Sequence, residues 1–379
     1  MKYRRIKRHI SPQVKALADA QKIAFAPLTF QAVAAMLKFG ILEFLDENPS
    51  DVQQIVENCN VSKYTAETLL EAACAAGLVI KTGEKYVNSL VASAFLHNEM
   101  TKVNFNFVKD VCYLGASELA NSFEQEKALG CKKFIGDYET IYNALHELPC
   151  DVKKSWFEFD HFYSDRCFEE VLKIIFENKP SKIFDIGGNT GKFERACLEF
   201  DKNCIVNMID LPENIEEAKK HLHNDRLKFH GIDVLKDKMP EISGVVLMSQ
   251  FLDCFSEEQV ISILTNIKNS MADDTKIFIL EPFTDKQLFD GATYSLVHIS
   301  LYFTCMANGK SKMYSEKRMI EMIEKAGLKV SKKHENVGVH DYTLLEVLKL
   351  GKKGSVATDR DMEDNKIICE EGKKGSKRL

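Results

Sequence analysis

Lys182-Ile183-Phe184-Asp185-Ile186-Gly187-Gly188-Asn189-Thr190-Gly191 is an apolar run that reaches an acidic residue and passes into a glycine-rich turn, with an amphipathic stretch behind it. That order predicts a strand, a tight turn and a helix start. Glycine permits positive φ and close approach of a ligand to the backbone, and the amides that open the next helix are free to meet polar or anionic atoms. Such a turn serves a dinucleotide, a phosphate or S-adenosylmethionine, or merely joins a strand to a helix. The residues beyond it decide.

Downstream, short apolar runs over 183–185, 205–209, 227–230, 245–248 and 277–280 alternate with helical stretches, the pattern of a parallel, doubly wound sheet. Ligands of such sheets bind outside the carboxyl ends of the strands, at the switch point. Asp210 follows Asp185 by 25 positions and closes the second strand, where a carboxylate accepts hydrogen bonds from ribose hydroxyls. Asp233 follows the third strand, placed to accept from an adenine amino group. Nicotinamide enzymes share the first two features, but there the turn opens the whole domain and must reach a pyrophosphate. Here a helical region precedes it, and Asp185 stands at the strand end, placed to steer the amino-acid end of S-adenosylmethionine.

Before the sheet, residues 28–98 read as amphipathic helices and a hairpin. Phe30, Val33, Ala34, Leu37 and Ile41 recur at helical spacing, helices follow over 52–59 and after Ser62, and Gly77 ends the last. Two strands around Thr82-Gly83 complete a winged helix. Its recognition-type helix, 63–76, carries one lysine and two glutamates, too few cations for a phosphate backbone, so dimerisation is the expected use. Residues 1–27 read as an arm, 99–178 as an aromatic-rich helical connector, 179–350 as the sheet domain and 351–379, rich in Gly, Lys, Asp and Glu, as a flexible tail. Most of the connector's aromatics read as core; Trp156, Phe159 and Tyr163, interleaved with polar residues, are candidates for an aromatic substrate pocket.

The 379 residues suit about two domains. A net charge of −5 gives no global reason to expect nucleic acid. The basic start lacks a signal-peptide core, and no run of about 18 apolar residues occurs, so the expectation is a cytoplasmic protein without membrane or nucleic-acid partners. Eleven cysteines without a C-x-x-C pair read as reduced thiols, with no metal site.

The order of winged helix, aromatic connector, Asp185-x-Gly187-Gly188-x-Thr190-Gly191, Asp210-Leu211-Pro212, Asp233 and Ser256-Glu257-Glu258 resembles the class I small-molecule O-methyltransferases, the group that includes caffeate and hydroxyindole O-methyltransferases, over roughly residues 28–349. The resemblance implies an α/β, Rossmann-like methyltransferase domain behind a mainly α winged-helix dimerisation domain, a homodimer, and a small aromatic hydroxylated acceptor. It implies S-adenosylmethionine held by Asp185, Gly187, Gly188, Asn189, Gly191, Asp210, Leu211, Asp233, Val234 and Ser249. Asn189 departs from the usual glycine, but asparagine tolerates left-handed backbone, so the turn should survive.

A second departure touches the chemistry. After the fourth strand that family reads Leu-His-Asp-Trp-Ser, whose histidine removes the acceptor proton; here Ser249-Gln250-Phe251-Leu252-Asp253-Cys254-Phe255-Ser256 puts Asp253 in its place. Glu281 matches the glutamate that orients the histidine. A second glutamate, expected after Asn308-Gly309, is replaced by the neighbourhood of Lys310 and Lys312. Asp253, Glu281 and His298, on a helix expected over 293–307, are therefore the catalytic candidates, with Phe251 and Tyr302 beside them for substrate; the bland alternative for His298 is a packed helix histidine. Three readings follow: O-methyl transfer, favoured; ring C-methylation, because the segment also resembles bacterial relatives associated with aryl-polyene pigments; or cofactor binding without transfer. A winged-helix regulator would need a cationic recognition helix.

Overall fold

A computed structural model describes residues 11–145 and 147–350. The expected tail at 351–379 lies outside the described residues. The chain divides into two units, Met1–Leu114 with His146–Phe162, and Gly115–Leu145 with Tyr163–Leu379, so the connector expected at 99–178 is shared between them.

In the first unit a helix runs Pro12–Lys38, with Ser11 as N-cap and proline in its first turn. It crosses the boundary placed at residue 27, and its apolar periodicity stops at Phe39. Gly40 takes φ 69° and starts a second helix, Ile41–Glu47, so Ile41 does not continue the stripe of Phe30 to Leu37. Val52–Cys59 has a capping box on Asp51. Lys63–Ala76 is capped by Ser62 and closed by Gly77 at φ 79°; positive φ there is open to glycine without the Cβ penalty. Strands β1 (Val79–Thr82) and β2 (Lys85–Asn88) pair antiparallel as the wing. Met36, Ile41, Leu42, Ile55 and Leu70 are fully buried together.

The second unit is built on a seven-stranded sheet. In chain order its strands are β3 (Lys182–Ile186), β4 (Ile205–Asp210), β5 (Leu227–Gly231), β6 (Val245–Ser249), β7 (Lys276–Glu281), β8 (Leu328–Val337) and β9 (Tyr342–Lys349). The order across the sheet is β5-β4-β3-β6-β7-β9-β8. β3 to β7 are parallel, as expected, but β9 runs antiparallel to both neighbours, so the sheet is mixed at one edge. Alternate residues feed two cores: Phe184, Ile186, Val246, Met248, Ile277 and Ile279 on one face, Ile183, Val206, Val245, Leu247 and Phe278 on the other. The chain winds outward from β3 to β5 and returns to β6 beside β3, which makes the crevice at their carboxyl ends the switch point. Among the described residues, no single helix is long and apolar enough to cross a membrane and no disulfide forms.

Arg226, at the entrance to β5, fixes one side of this sheet. Its guanidinium donates to the carbonyls of Leu198 (2.9 Å), Asp201 (2.8 Å) and Cys204 (3.2 Å), satisfying the orphan end of the helix Lys192–Phe200. Arg226→Ala should cost about 1.5–3 kcal/mol, since hydrogen bonds to a charged donor are lost, read as a lower urea midpoint with unchanged far-ultraviolet dichroism.

Candidate active site

The glycine turn joins β3 to the helix Lys192–Phe200. Gly187, Asn189 and Gly191 have φ of 88°, 50° and 77°, so the expected tolerance of Asn189 is met by the backbone it adopts. The turn is strapped to the end of β4: Gly187 N–H donates to the Ile209 carbonyl (2.8 Å) and Asn189 N–H to Asp210 Oδ2 (2.7 Å). Asp210 Oδ1 accepts from Leu211 N–H and Asn214 Nδ2, both at 2.7 Å. The glycines are also required from beneath. A Cβ on Gly187 would lie 2.4 Å from the Phe251 ring, on Gly188 2.3 Å from Glu194 Oε1, and on Gly191 2.0 Å from Leu222.

These residues fit an adenosyl amino-acid cofactor. The turn is a cradle that side chains would fill, and Asp210, already bonded on both oxygens, keeps lone pairs toward a ribose. Ser249, one residue past the register partner of Ile186, has a buried hydroxyl without a hydrogen-bond partner. Leu211 and Val234 are half-buried beside these strand ends. Asp233 is more occupied than expected: Oδ1 accepts from Leu235 N–H (3.0 Å) and Oδ2 pairs with Lys236 at 2.8 Å.

Under the turn, acids accumulate. Burial raises Asp185 to about 7, a contact with Glu194 opposes this, and the Asp210 charge adds to it. Glu194, fully buried in the first turn of the helix, is pushed well above the ordinary range by burial and then by Asp185. It was not among the expected site residues, although its spacing with Cys197 and Leu198 puts it on the helix's apolar stripe.

A second acidic centre lies at the ends of β6 and β7. Gln250 adopts φ 49° and accepts from the Tyr342 hydroxyl (2.7 Å), turning the chain into a short 3-10 helix, Leu252–Cys254. Glu281 Oε1 accepts from Phe251 N–H (3.2 Å) and Leu252 N–H (2.9 Å), while Oε2 is buried without a partner. The matched glutamate thus orients the turn that carries Asp253, itself buried. Burial, then the Asp253 charge, raises Glu281 well above the carboxylate range. Tyr142 donates its hydroxyl to Cys254 Sγ (3.0 Å) and is pushed up by burial and by Cys254, so it stays a phenol. Tyr302, buried, also acts on Tyr142 electrostatically.

Other expected residues lie elsewhere. His298 is exposed on the helix Asp290–Tyr302, its Nδ1 bonded to the Tyr294 carbonyl (2.7 Å) and its ring stacked 3.9 Å from the Tyr294 ring. Asp253 and Glu281, by contrast, are buried. The helix expected to Ala307 gives way to a π-helix at Phe303. Phe251 packs against the cofactor turn and Phe255. Trp156 meets Phe157 edge-on and Phe159 stacks on Phe107 within the first unit, as core aromatics do, whereas Tyr163 belongs to the second unit and meets His340. Lys310 pairs with Glu126 at 3.0 Å and Lys312 is exposed; neither replaces the missing glutamate inside the site. No cluster able to hold a metal occurs among the described residues.

Acids with raised values bind their protons more tightly folded than unfolded. The stability they contribute is complete below their ordinary values near 4 and is lost as pH rises through the folded values, about 7 for Asp185. The cofactor-free protein should therefore show a urea midpoint that falls between about pH 5 and pH 8, and Glu281→Gln, which keeps an acceptor for both amides, should flatten the fall. A midpoint rising over that interval would contradict the placement of these acids.

Comparison with known proteins gives a consistent assignment. An O-methyltransferase domain model matches residues 155–329 and a Dimerisation2-like domain model residues 18–86. O-methyltransferase 7 of Dictyostelium discoideum is 21% identical over 332 residues, which cover 86% of this chain and 92% of that protein. The solved structure of mitomycin 7-O-methyltransferase MmcR gives a TM-score of 0.68 at 18% identity, covering 89% of this chain and 99% of that one. Human N-acetylserotonin methyltransferase in complex with S-adenosylmethionine gives 0.63 at 17% identity, covering 89% and 99%. An O-methyltransferase domain thus spans residues 155–329 behind a Dimerisation2-like domain, and the glycine turn, the strapped Asp210 and the open Ser249 all lie within it, in a chain similar to S-adenosylmethionine-dependent O-methyltransferases.

Proposed function

We propose that the protein transfers a methyl group to a hydroxyl of a small aromatic acceptor, with Asp253 in the role that a histidine fills in its relatives. The observation that carries this reading is the buried Asp253–Glu281 pair at the strand ends beside the cofactor turn. When bound, S-adenosylmethionine supplies a methyl group activated by a sulfonium leaving group. Gly187, Gly188, Asn189, Gly191, Asp210 and Ser249 hold it, and Asp185 orients the turn.

Two carboxyls buried together favour holding one proton between them, because two adjacent charges in low dielectric are costly. Glu281 keeps that proton, being raised by its burial and by Asp253, which leaves the negative charge on Asp253. Asp253 then accepts or orients the acceptor's hydroxyl proton. Little more is asked of the protein, since methyl transfer depends chiefly on in-line positioning. Tyr142 donates to Cys254 Sγ, and the Cys254 thiol in turn lies 3.4 Å from Asp253 Oδ1.

The helix Pro12–Lys38 supports the homodimer reading: Val14, Leu17, Ile23, Phe25 and Leu28 are exposed along it, inside the region that matches the dimerisation-type model. Light scattering should give twice the chain mass, and Phe25→Glu should shift it toward the monomer.

Incubation with methyl-labelled S-adenosylmethionine and a panel of hydroxylated aromatic acids, with mass spectrometry to locate the methyl, tests the reaction. The label is expected on oxygen; label on carbon would replace O-methylation by ring methylation, and cofactor binding without transfer would remove the enzymatic reading. Asp253→Asn should lower turnover about 100-fold or more with cofactor affinity unchanged, as loss of a general base does.

A further inference from the structure

Glu194 stands out because nothing in the fold gives it a countercharge. It is fully buried, its oxygens meet no well-formed hydrogen-bond donor and its side-chain contact is with the Asp185 carboxyl, and Oε1 lies directly beneath Gly188 of the cofactor turn. A buried polar group left unsatisfied costs free energy, and a buried unpaired charge costs more. The groups that face it are acids or a thiol: Asp185 from β3, Asp210 from β4, and Cys197 from its own helix. The nearest cations in sequence point away. Lys192 is exposed and paired with Asp165 at 2.6 Å, and Arg195 is exposed. A net negative cluster with no described countercharge thus lies under the turn, waiting for a positive ligand.

We propose that Glu194 is a positioning residue of the cofactor site that shares one proton with Asp185, and that binding of the cationic sulfonium and ammonium end of S-adenosylmethionine expels this proton. The inference rests on the cofactor assignment and deepens it. The step balances: an O–H bond of the carboxyl pair breaks, the proton passes to the buffer, and the charge left on the pair faces the arriving cation. With the cation present, the second carboxylate no longer opposes an uncompensated charge, so its ionised form gains. Without it, burial and mutual repulsion keep a proton on the pair: Asp185 is raised to about 7 and Glu194 well above the carboxylate range. By linkage, a ligand that expels a proton binds more tightly as pH rises, by up to about tenfold per pH unit below the titration point.

The test is calorimetric titration of the full chain with S-adenosylmethionine in buffers of different ionisation enthalpy, from about pH 6 to pH 8. The expected results are a buffer-dependent heat of opposite sign to proton uptake, affinity that rises with pH across this interval, and loss of both in Glu194→Gln. Difference infrared spectra should show a protonated-carboxyl band that disappears on binding to the unmodified protein, so the inference stays testable if the variant does not fold. Binding with no buffer-dependent heat, or unchanged proton release from Glu194→Gln, would overturn the proton-sharing role and leave the cofactor assignment standing. Absence of binding in the unmodified protein would overturn the cofactor assignment itself.

Discussion

The hydrogen bonds that Asp210 makes hold the site together. One oxygen receives the Asn189 amide of the glycine turn, and the other receives the amide and side chain that turn the chain out of β4. The carboxylate therefore ties two adjacent strand ends into one rim, and the turn's left-handed residues are held by that tie as well as by their own conformational freedom. Without it, Gly187 and Gly191 would permit many conformations and specify none. The same rim fixes where the carboxyls beneath it must lie, and the unusual electrostatics of the protein begins there.

Four carboxyls, Asp185, Glu194, Asp210 and Glu281, sit in surroundings that favour their neutral forms. Burial is the leading cause for each, and nearby acids reinforce it. Such placements work against the stability of the empty protein at neutral pH and are retained where charge is needed on demand. At the glycine turn the demand is a cationic cofactor. At β6 and β7, on the proposed reaction, it is an acceptor proton, with Glu281 holding the turn of Asp253.

The glycine turn, Asp210 and the five parallel strands were legible because their signals are local: apolar runs, an acid at the strand end and glycines at fixed offsets. The break at Gly40 carried a local signal too, a glycine within a helical pattern, but the apolar spacing of Leu37 and Ile41 masked it. Tyr142 and Tyr342 were not legible. They reach Cys254 and Gln250 across 112 and 92 residues, and only the packed sheet brings them in. The antiparallel β9 is likewise a tertiary outcome, since its apolar run reads the same in either direction. Trp156 and Phe159, read as pocket aromatics from their polar neighbours, meet Phe157 and Phe107, ring contacts that sequence spacing alone does not give.

The central claim is that the crevice at the ends of β3, β4 and β6 holds the adenosyl cofactor over the strapped turn. A crystal structure of the full chain with S-adenosylhomocysteine tests it most directly. The account predicts the amino-acid end over Gly187–Gly191, the ribose within hydrogen-bond distance of Asp210 and the Ser249 hydroxyl engaged or screened. A ligand bound elsewhere, with Asp210 and Ser249 unchanged in their contacts, would contradict it.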